Sequence, residues 1–205
     1  MGEYEDFLMA RDGAINDLGN DSSLKELAVR FVRDSAKHRY SYNFDWMGRP
    51  IIQIPQDIVS MQELIWRVKP DLIIETGIAH GGSLVMSASM LALLDYSDAV
   101  SRKTTFDPCK STRKVIGIDI DIRAHNRMAI EQHPMSHLIQ MIQGSSVRPE
   151  IVQEVRHLAR DYNRVLVCLD SNHTHEHVFA ELQAYAPLTS LGSYCIVFDL
   201  SLIHI

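Results

Sequence analysis

Five short apolar runs alternate with stretches of helical periodicity from residue 71 onward. The runs lie at residues 71–75, 114–119, 138–143, 164–170 and 192–199. Each run is continuously apolar rather than alternating with polar residues, which is typical of strands buried on both faces in a parallel sheet. Helical patterns separate the runs, at residues 83–94, 123–133, 149–162 and 175–186. This order predicts an α/β fold, a Rossmann-like doubly wound parallel sheet with helices on both faces.

Residues 1–50 have a weaker pattern and are predicted as an N-terminal region. It begins with an arm or short helix, followed by a helix that Ser22 or Ser23 would cap. An aromatic loop follows at residues 40–50. We interpret this loop either as a strap packed over the core or as a lid over a substrate pocket. The main domain is predicted to span residues 51–205.

Two further segments lie outside the five runs and the helices between them. Apolar residues at helical spacing predict a helix over residues 56–68, which Pro70 would follow. Residues 95–113 are polar and have no clear period. A loop of that length is uncommon in a compact domain, and we predict a mobile insertion there.

Composition excludes several classes of function. The formal net charge is −6, so the chain offers no basic field that would attract nucleic acid. Three cysteines without a C-x-x-C spacing argue against a disulfide framework and a zinc knuckle, and they indicate a reducing cytoplasm. No apolar run approaches the length of a membrane span. The acidic start of the chain lacks the features of a secretory signal.

Acidic residues stand where four of the five predicted strands end, and a glycine follows the other one. They are Glu75, Asp119, Asp170 and Asp199, with Gly144 after the third run. In open α/β sheets, ligands bind in the crevice at the carboxyl ends of the strands. Buried carboxylates need partners such as hydroxyls, amides or a metal ion. We therefore expect these residues to form a ligand site.

The turn after the first run carries the most specific glycine pattern. Residues 75–83 read ETGIAHGGS, which is not the G-x-G-x-x-G spacing of dinucleotide binding. Glycines let the backbone approach a ligand, and the helix that follows directs its amino terminus at it. An acid before the first glycine suits an ammonium group, as in S-adenosylmethionine (SAM). The predicted cofactor-binding residues here are Glu75, Gly77, His80, Gly81, Gly82 and Ser83.

Three more positions complete the predicted cofactor site. Asp119, at the end of the second run, can accept both hydroxyls of a ribose. Asp121 competes for this role, although we interpret it as the N-cap of the next helix. Ser145 and Ser146 follow the third run and either flank an adenine ring or cap the helix that begins near Pro149.

The segment from Asp170 to His177 combines a carboxylate with three histidines. Histidine titrates near neutral pH and can serve as a base, so His173 and His175 are the predicted catalytic residues. Asp170 and Asp199 are the predicted ligands of Mg²⁺ or another divalent cation, which prefers carboxylates and water. Spacing of the histidines does not favour a zinc site. The histidines also fit the interpretation of polar loop and capping residues.

Several of these motifs together resemble the cephalosporin hydroxylase-like family, which includes rhamnosyl O-methyltransferases. The segments that carry the resemblance are LIIETGIAHGGS from Leu72, VIGIDIDIRAHNR from Val115, Gly144 to Ser146, LDSNHTHEHV from Leu169 and the helix MQELIWRV from Met61. The resemblance spans roughly residues 40 to 200. It implies a class I methyltransferase fold, SAM as cofactor and a divalent metal, usually Mg²⁺.

The resemblance also assigns roles to positions. It implies that Glu75 and the turn glycines lie near the methionine part of SAM, that Asp119 binds the ribose, and that Ser145 or Ser146 lies on the adenine side. The resemblance further implies metal-assisted methyl transfer to a hydroxyl of a sugar or small natural product. It points to lipid- or polysaccharide-linked sugars as the acceptor class. Tyr40, Tyr42 and Trp46 are expected to line a pocket that could stack a sugar ring.

This sequence departs from the family pattern at two places. Relatives often carry an acid or amide beside the last metal ligand, whereas Asp199 here lies between Phe198 and Leu200. The chain ends at Ile205, and we expect the last two strands of the fold to be missing or to come from a partner chain, as in a homo-oligomer. An inactive, truncated SAM-binding or assembly module is therefore the alternative. A hydroxylase is disfavoured because no triad of two histidines and one carboxylate is evident.

Overall fold

The computed structural model describes residues 2–199. The chain separates into two compact units, one from Met1 to Tyr40 and the other from Ser41 to Ile205. The second unit includes most of the aromatic loop. Among residues 2–199, no helix is both long and apolar enough to cross a lipid bilayer.

The first unit consists of two helices, α1 (Glu3–Asn20) and α2 (Ser22–Ala36). The arm or short helix predicted at the start is thus a helix of 18 residues. The prediction that a serine caps α2 is wrong, because the Asp21 carboxylate accepts from the backbone of Ser23 and Leu24. A carboxylate at this position also complements the helix dipole.

The second unit contains seven strands and five helices among its described residues. In chain order these are β1 (Phe44–Trp46), β2 (Arg49–Ile51), α3 (Pro55–Val68), β3 (Leu72–Thr76), α4 (Gly82–Arg102), β4 (Lys114–Asp119), α5 (Ala124–Glu131), β5 (Ile139–Gln143), α6 (Pro149–Ala159), β6 (Val165–Leu169), α7 (His175–Tyr185) and β7 (Cys195–Val197). Strands β1 and β2 form an antiparallel hairpin.

The other five strands form a parallel sheet in the order β5-β4-β3-β6-β7. The chain adds β4 and β5 on one side of β3 and then crosses to add β6 and β7 on the other side. The strand order therefore reverses between β3 and β6, the place where such sheets open a ligand crevice. This topology confirms the predicted Rossmann-like fold.

Both faces of the sheet are covered by apolar layers. On one face Ile73, Val115 and Leu166 pack with residues of α3 and α4. On the other face Ile74 and Val167 pack with residues of α6 and α7. Neighbouring residues of one strand thus enter different layers, which explains why the strands are continuously apolar in the sequence.

The structure corrects two loop predictions. The aromatic segment contains the β1–β2 hairpin, and its Phe44 and Trp46 pack against the core, as expected for a strap over the core. The predicted mobile insertion at residues 95–113 begins with eight more residues of α4. Its polar character has a structural cause, because the Arg113 guanidinium binds Asp95 at 2.9 Å and Asp98 at 2.7 Å on α4. A helix face used for ion pairs shows no apolar period.

Candidate active site at the carboxyl ends of the strands

A cavity of about 200 Å³ lies where β3 and β6 end. The described residues that line it are Tyr42, Pro50, Ile52, Gln53, Gly77, Ile78, Ala79, His80, Gly82, Ser83, Asp170, Ser171, His173 and Asp199. Seven of the predicted site residues are among them: Gly77, His80, Gly82, Ser83, Asp170, His173 and Asp199. The structure therefore brings the glycine turn and the predicted metal ligands to one crevice, as the strand order requires.

Glycines in the turn after β3 are required by close packing. Gly77 has φ of 89°, and a Cβ atom there would collide with the carbonyl oxygen of Asp170. A Cβ atom on Gly82 would collide with the backbone of Pro50 in the hairpin. Gly81 has φ of 84° and forms the N-cap of α4. The turn is therefore pressed between the end of β6 and the hairpin.

The tip of this turn is held by side chains from two neighbouring elements. Oδ2 of Asp119 accepts from the backbone of Ile78 at 2.8 Å and of Ala79 at 3.2 Å. The buried Asn126 on α5 donates to the Ala79 carbonyl at 2.9 Å. Ala79 has φ of 47°, in the left-handed region that costs energy for a residue with a side chain. These bonds hold the strained backbone in place.

Arg49 of the hairpin holds the same turn from a third side. Its Nε donates to the His80 carbonyl at 3.0 Å, and its Nη2 donates to Oδ1 of Asn126 at 3.2 Å. The sequence interpretation missed both Arg49 and Asn126. Asn126 stands inside a segment that carried the family resemblance, but Arg49 had no local signal.

Asp119 is placed as predicted, at the end of β4, yet its carboxylate already has backbone partners. Its Oδ1 accepts from the backbone of Asp121 at 3.0 Å. Asp121 itself is exposed, and the interpretation of it as a helix N-cap is wrong, since Arg123 stands at the N-cap of α5. Asp119 therefore shapes the turn after β3 in addition to any contact with a ligand.

Glu75, the acid that precedes the turn, is deeply buried, with 3% of its surface exposed. Burial raises its pKa from 4.5 to about 7, and bonds from the hydroxyls of Ser83 and Ser87 partly oppose this rise. Glu75 therefore lies close to the balance between its neutral and charged forms near neutral pH.

Asp170, His173 and Asp199 form a cluster whose candidate ligand atoms all lie within 4.8 Å of one another. Nε2 of His173 is 3.9 Å from Asp170 and 3.8 Å from Asp199. Burial, and then the charges of Asp199 and Glu75, raise the pKa of Asp170 to about 8. Gln53, which sequence reasoning missed, donates to Oδ2 of Asp170 at 2.8 Å.

The remaining predicted histidine and the two serines lie elsewhere. His175 is exposed at the start of α7, stacked on Phe179, and is not among the described residues that line the cavity. Ser146 is buried beside α7. A cap of α6 by Ser145 or Ser146 is not observed, because Arg148 stands at its N-cap.

Of the three aromatic residues expected to line the acceptor pocket, only one lines the cavity. Tyr42 lines the cavity, whereas Trp46 donates its indole N–H to Ser89 at 3.0 Å and lines a different, apolar cavity beside α4. Tyr40 belongs to the first unit and contacts Phe31 there. The prediction that Trp46 lines the same pocket is therefore wrong.

Comparison with known sequences gives a consistent family match. Residues 38–204 match the family described as Rhamnosyl O-methyltransferase/CmcI. A rhamnosyl O-methyltransferase of Mycobacterium leprae is 27% identical over 158 residues, which cover 77% of this chain and 60% of the relative. The corresponding protein of Mycobacterium tuberculosis H37Rv is 27% identical over 169 residues, with 79% and 61% covered. The chain thus spans about 60% of the length of the curated relatives it matches.

Comparison with solved structures supports the fold. The apo structure of CalS11, a TDP-rhamnose 3′-O-methyltransferase of calicheamicin biosynthesis, has a TM-score of 0.53 and 19% identity, covering 71% of this chain and 63% of that one. A CmcI structure with Mg and SAM has a TM-score of 0.52 and 21% identity, covering 78% and 58%. The five-stranded sheet is thus of the class I methyltransferase type.

Proposed function

The chain belongs to the rhamnosyl O-methyltransferase/CmcI family, and we propose on this basis that it is a SAM-dependent, metal-assisted O-methyltransferase. The acceptor would be a hydroxyl of a sugar or a small natural product, in keeping with the names of the curated relatives. The observation that carries the proposal is the single cavity that joins the glycine turn to the cluster of Asp170, His173 and Asp199. A cytoplasmic location is part of the proposal, supported by three free cysteines.

SAM fits the turn by its chemistry. Glu75 would attract the ammonium group of the methionine part, and α4 begins at Gly82, where backbone N–H groups favour an anionic carboxylate. The other residues that we assign to this end are Gly77, His80, Gly81 and Ser83. Asp119 would bind the ribose with the acceptor capacity that its backbone bonds leave free, and Ser145 and Ser146 would lie beside the adenine.

A divalent cation fits the cluster at the end of β6. Asp170 and Asp199 would supply carboxylate oxygens, the ligands that Mg²⁺ prefers. The charge of Asp199 contributes to the raised pKa of Asp170, so a cation between these two carboxylates would relieve an unfavourable interaction. Phe198 supplies no oxygen at the position where relatives often have an acid or amide. We therefore expect weaker metal affinity than a site with that extra ligand would have.

The reaction needs an acceptor hydroxyl placed next to the methyl group and relieved of its proton. When bound, the metal would supply Lewis-acid chemistry that acidifies and holds this hydroxyl. His173 would accept the proton, since its imidazole borders the cavity and histidine is the side chain that most often serves as a general base. Gln53 would hold Asp170 in place through its amide. Tyr42 would border the acceptor.

Calorimetric titration with S-adenosylhomocysteine (SAH), with and without Mg²⁺, tests the proposal. Wild-type protein should bind SAH, and Asp119→Ala should abolish this binding. Asp170→Asn should remove any effect of Mg²⁺ while leaving SAH binding intact. Absence of SAH binding by the folded protein would contradict the assignment.

A methyl-transfer assay separates the enzyme from the alternative, a SAM-binding module without turnover. Rhamnosides serve as acceptors, and SAH formation is the readout. His173→Gln should lower turnover and leave the affinity for Mg²⁺ unchanged if His173 is the base. A loss of Mg²⁺ affinity in this variant would instead make His173 a metal ligand. SAH binding without any Mg²⁺-dependent transfer would favour the binding module.

A further inference from the structure

Three buried or half-buried polar side chains project from one face of α7. His177, Glu181 and Tyr185 follow one another at intervals of four residues, which places them on the same side of the helix. Glu181 is 1% exposed and Tyr185 is fully buried. Polar groups are rarely buried to this extent without specific partners. None of the three belongs to the site assigned above.

Ser146, in the loop after β5, is held by this face at two atoms. The Tyr185 hydroxyl donates to the Ser146 carbonyl at 2.6 Å. The Ser146 hydroxyl oxygen lies 3.1 Å from Nε2 of His177. Backbone and side chain of Ser146 are therefore both oriented by α7.

The same contacts decide which group donates. Ser171 donates its hydroxyl hydrogen to Oε1 of Glu181 at 2.7 Å, so its oxygen can only accept. Nε2 of His177 faces this oxygen at 3.2 Å and Oε1 of Glu181 at 3.4 Å. Two acceptors around one nitrogen require that Nε2 carries the hydrogen.

The other carboxylate oxygen strengthens this assignment. Oε2 of Glu181 is buried and has no hydrogen-bond partner among the described residues. A histidine without hydrogen on Nε2 would leave the nearby Oε1 with a single donor in a buried environment, at further cost. The Nε2–H of His177 therefore points into a set of acceptors that includes the Ser146 oxygen, and the hydrogen of the Ser146 hydroxyl remains free to donate elsewhere.

The loop that carries Ser146 begins beside the residue assigned to the ribose. The Gly144 N–H donates to the Asp119 carbonyl at 2.8 Å, and Asp119 is paired with Gln143 in the sheet. A group attached to a ribose at Asp119 would thus extend toward the loop that carries Ser146. We propose that His177, held by Glu181, is a positioning residue that fixes Ser146 as a hydrogen-bond donor to a ring nitrogen of the cofactor's nucleobase. This inference rests on the proposed function.

Titration of wild type, His177→Leu and His177→Gln with SAH and with adenosine tests the inference. Leucine removes the donor, whereas the glutamine amide can reach a similar position with an N–H group. One neutral hydrogen bond corresponds to about five- to tenfold in affinity. His177→Leu should therefore weaken SAH and adenosine by this same factor, and His177→Gln should stay within about twofold of wild type. His157→Leu, at an exposed histidine of α6, is the matched control.

Three deaza analogues of adenosine give a readout that a purely structural role would not move. The 1-, 3- and 7-deaza compounds each lack one ring nitrogen. One of them should bind wild type about five- to tenfold more weakly than adenosine does. The His177→Leu variant should bind this analogue and adenosine with equal affinity. If His177→Leu does not fold, Ser146→Ala should give the same pattern. If His177→Leu and Ser146→Ala both bind adenosine as tightly as wild type, the inference is overturned and the proposed function stands. If the wild type binds no SAH, the inference and the proposed function are both overturned.

Discussion

Replacing Glu75 with glutamine should remove a pH-dependent loss of stability. The carboxyl group is 3% exposed, and burial raises its pKa from 4.5 to about 7. Below pH 4.5 it is protonated in the folded and the unfolded chain. Between pH 4.5 and 7 the unfolded chain releases this proton while the folded protein keeps it, so the free energy of unfolding falls as the pH rises.

The size of the loss follows from the raised pKa. One pKa unit corresponds to about 1.4 kcal/mol, so the full cost above pH 7 is about 3 kcal/mol. Glutamine has nearly the same shape and cannot ionise, and the hydroxyls of Ser83 and Ser87 can rotate to meet its amide. We therefore expect Glu75→Gln to exceed the wild-type free energy of unfolding by about 1 kcal/mol at pH 5 and by about 3 kcal/mol at pH 8.

Urea unfolding at pH 5, 6, 7 and 8 measures this difference. Glu63→Gln, at an exposed position of α3, is the control, and its difference from wild type should stay constant with pH. Asp170 titrates in both proteins and senses the charge of Glu75, so the pair is also compared in an Asp170→Asn background. A difference between Glu75→Gln and wild type that stays constant from pH 5 to pH 8 would refute the reasoning.

Three substitutions test the packing around the site. Gly192→Ala, at a similar positive φ but in open space, should lower the free energy of unfolding by about 1–2 kcal/mol. Gly77→Ala also adds a Cβ against the backbone that follows β6 and should lower it by well over that amount. Equal losses in thermal unfolding would contradict the packing argument. Arg49→Met removes the bonds to the turn after β3 and should weaken SAH binding about tenfold in a calorimetric titration. The control Arg67→Met, at an exposed position of α3, should bind SAH as wild type does, and equal affinities of the two variants would contradict the role of Arg49. Arg113→Met removes the main cationic partner of Asp95 and Asp98, which keep only the Ser111 hydroxyl and Arg102, and should cost about 3 kcal/mol. An unchanged midpoint in urea unfolding would contradict this.

The parallel sheet could be predicted because its signal is local. Each central strand is buried on both faces, so its own residues are continuously apolar, and the residue after the run marks the rim of the crevice. This is why Glu75, Asp119 and Asp170 could be placed at strand ends from the sequence. Strands β1 and β2 have three residues each and include Pro50, too short for a pattern, and the hairpin was missed.

Side chains that orient the site could not be predicted in the same way. Gln53 bonds Asp170 across 117 residues of sequence, and Arg49 reaches Asn126 across 77. Such a bond leaves no periodic trace, because a single polar residue in a loop or on a helix reads as an ordinary surface residue. The N-cap of α2 was misassigned for a different reason: three consecutive residues, Asp21 to Ser23, can all cap a helix, and only the backbone geometry selects one.

The electrostatics of the crevice favours cationic ligands. Glu75 and Asp170 stand at the ends of adjacent strands, and burial is the main cause that raises the pKa of both. The hydroxyls near Glu75 and the amide of Gln53 compensate only part of this cost, since the raised pKa values persist with them in place. A positive charge close to either carboxylate would stabilise its ionised form in a site of low dielectric. SAM brings an ammonium and a sulfonium group, and a divalent metal would supply the charge beside Asp170. The raised pKa values therefore connect the fold to the proposed chemistry, because Asp170 lines the cavity and Glu75 stands at the end of the adjacent strand.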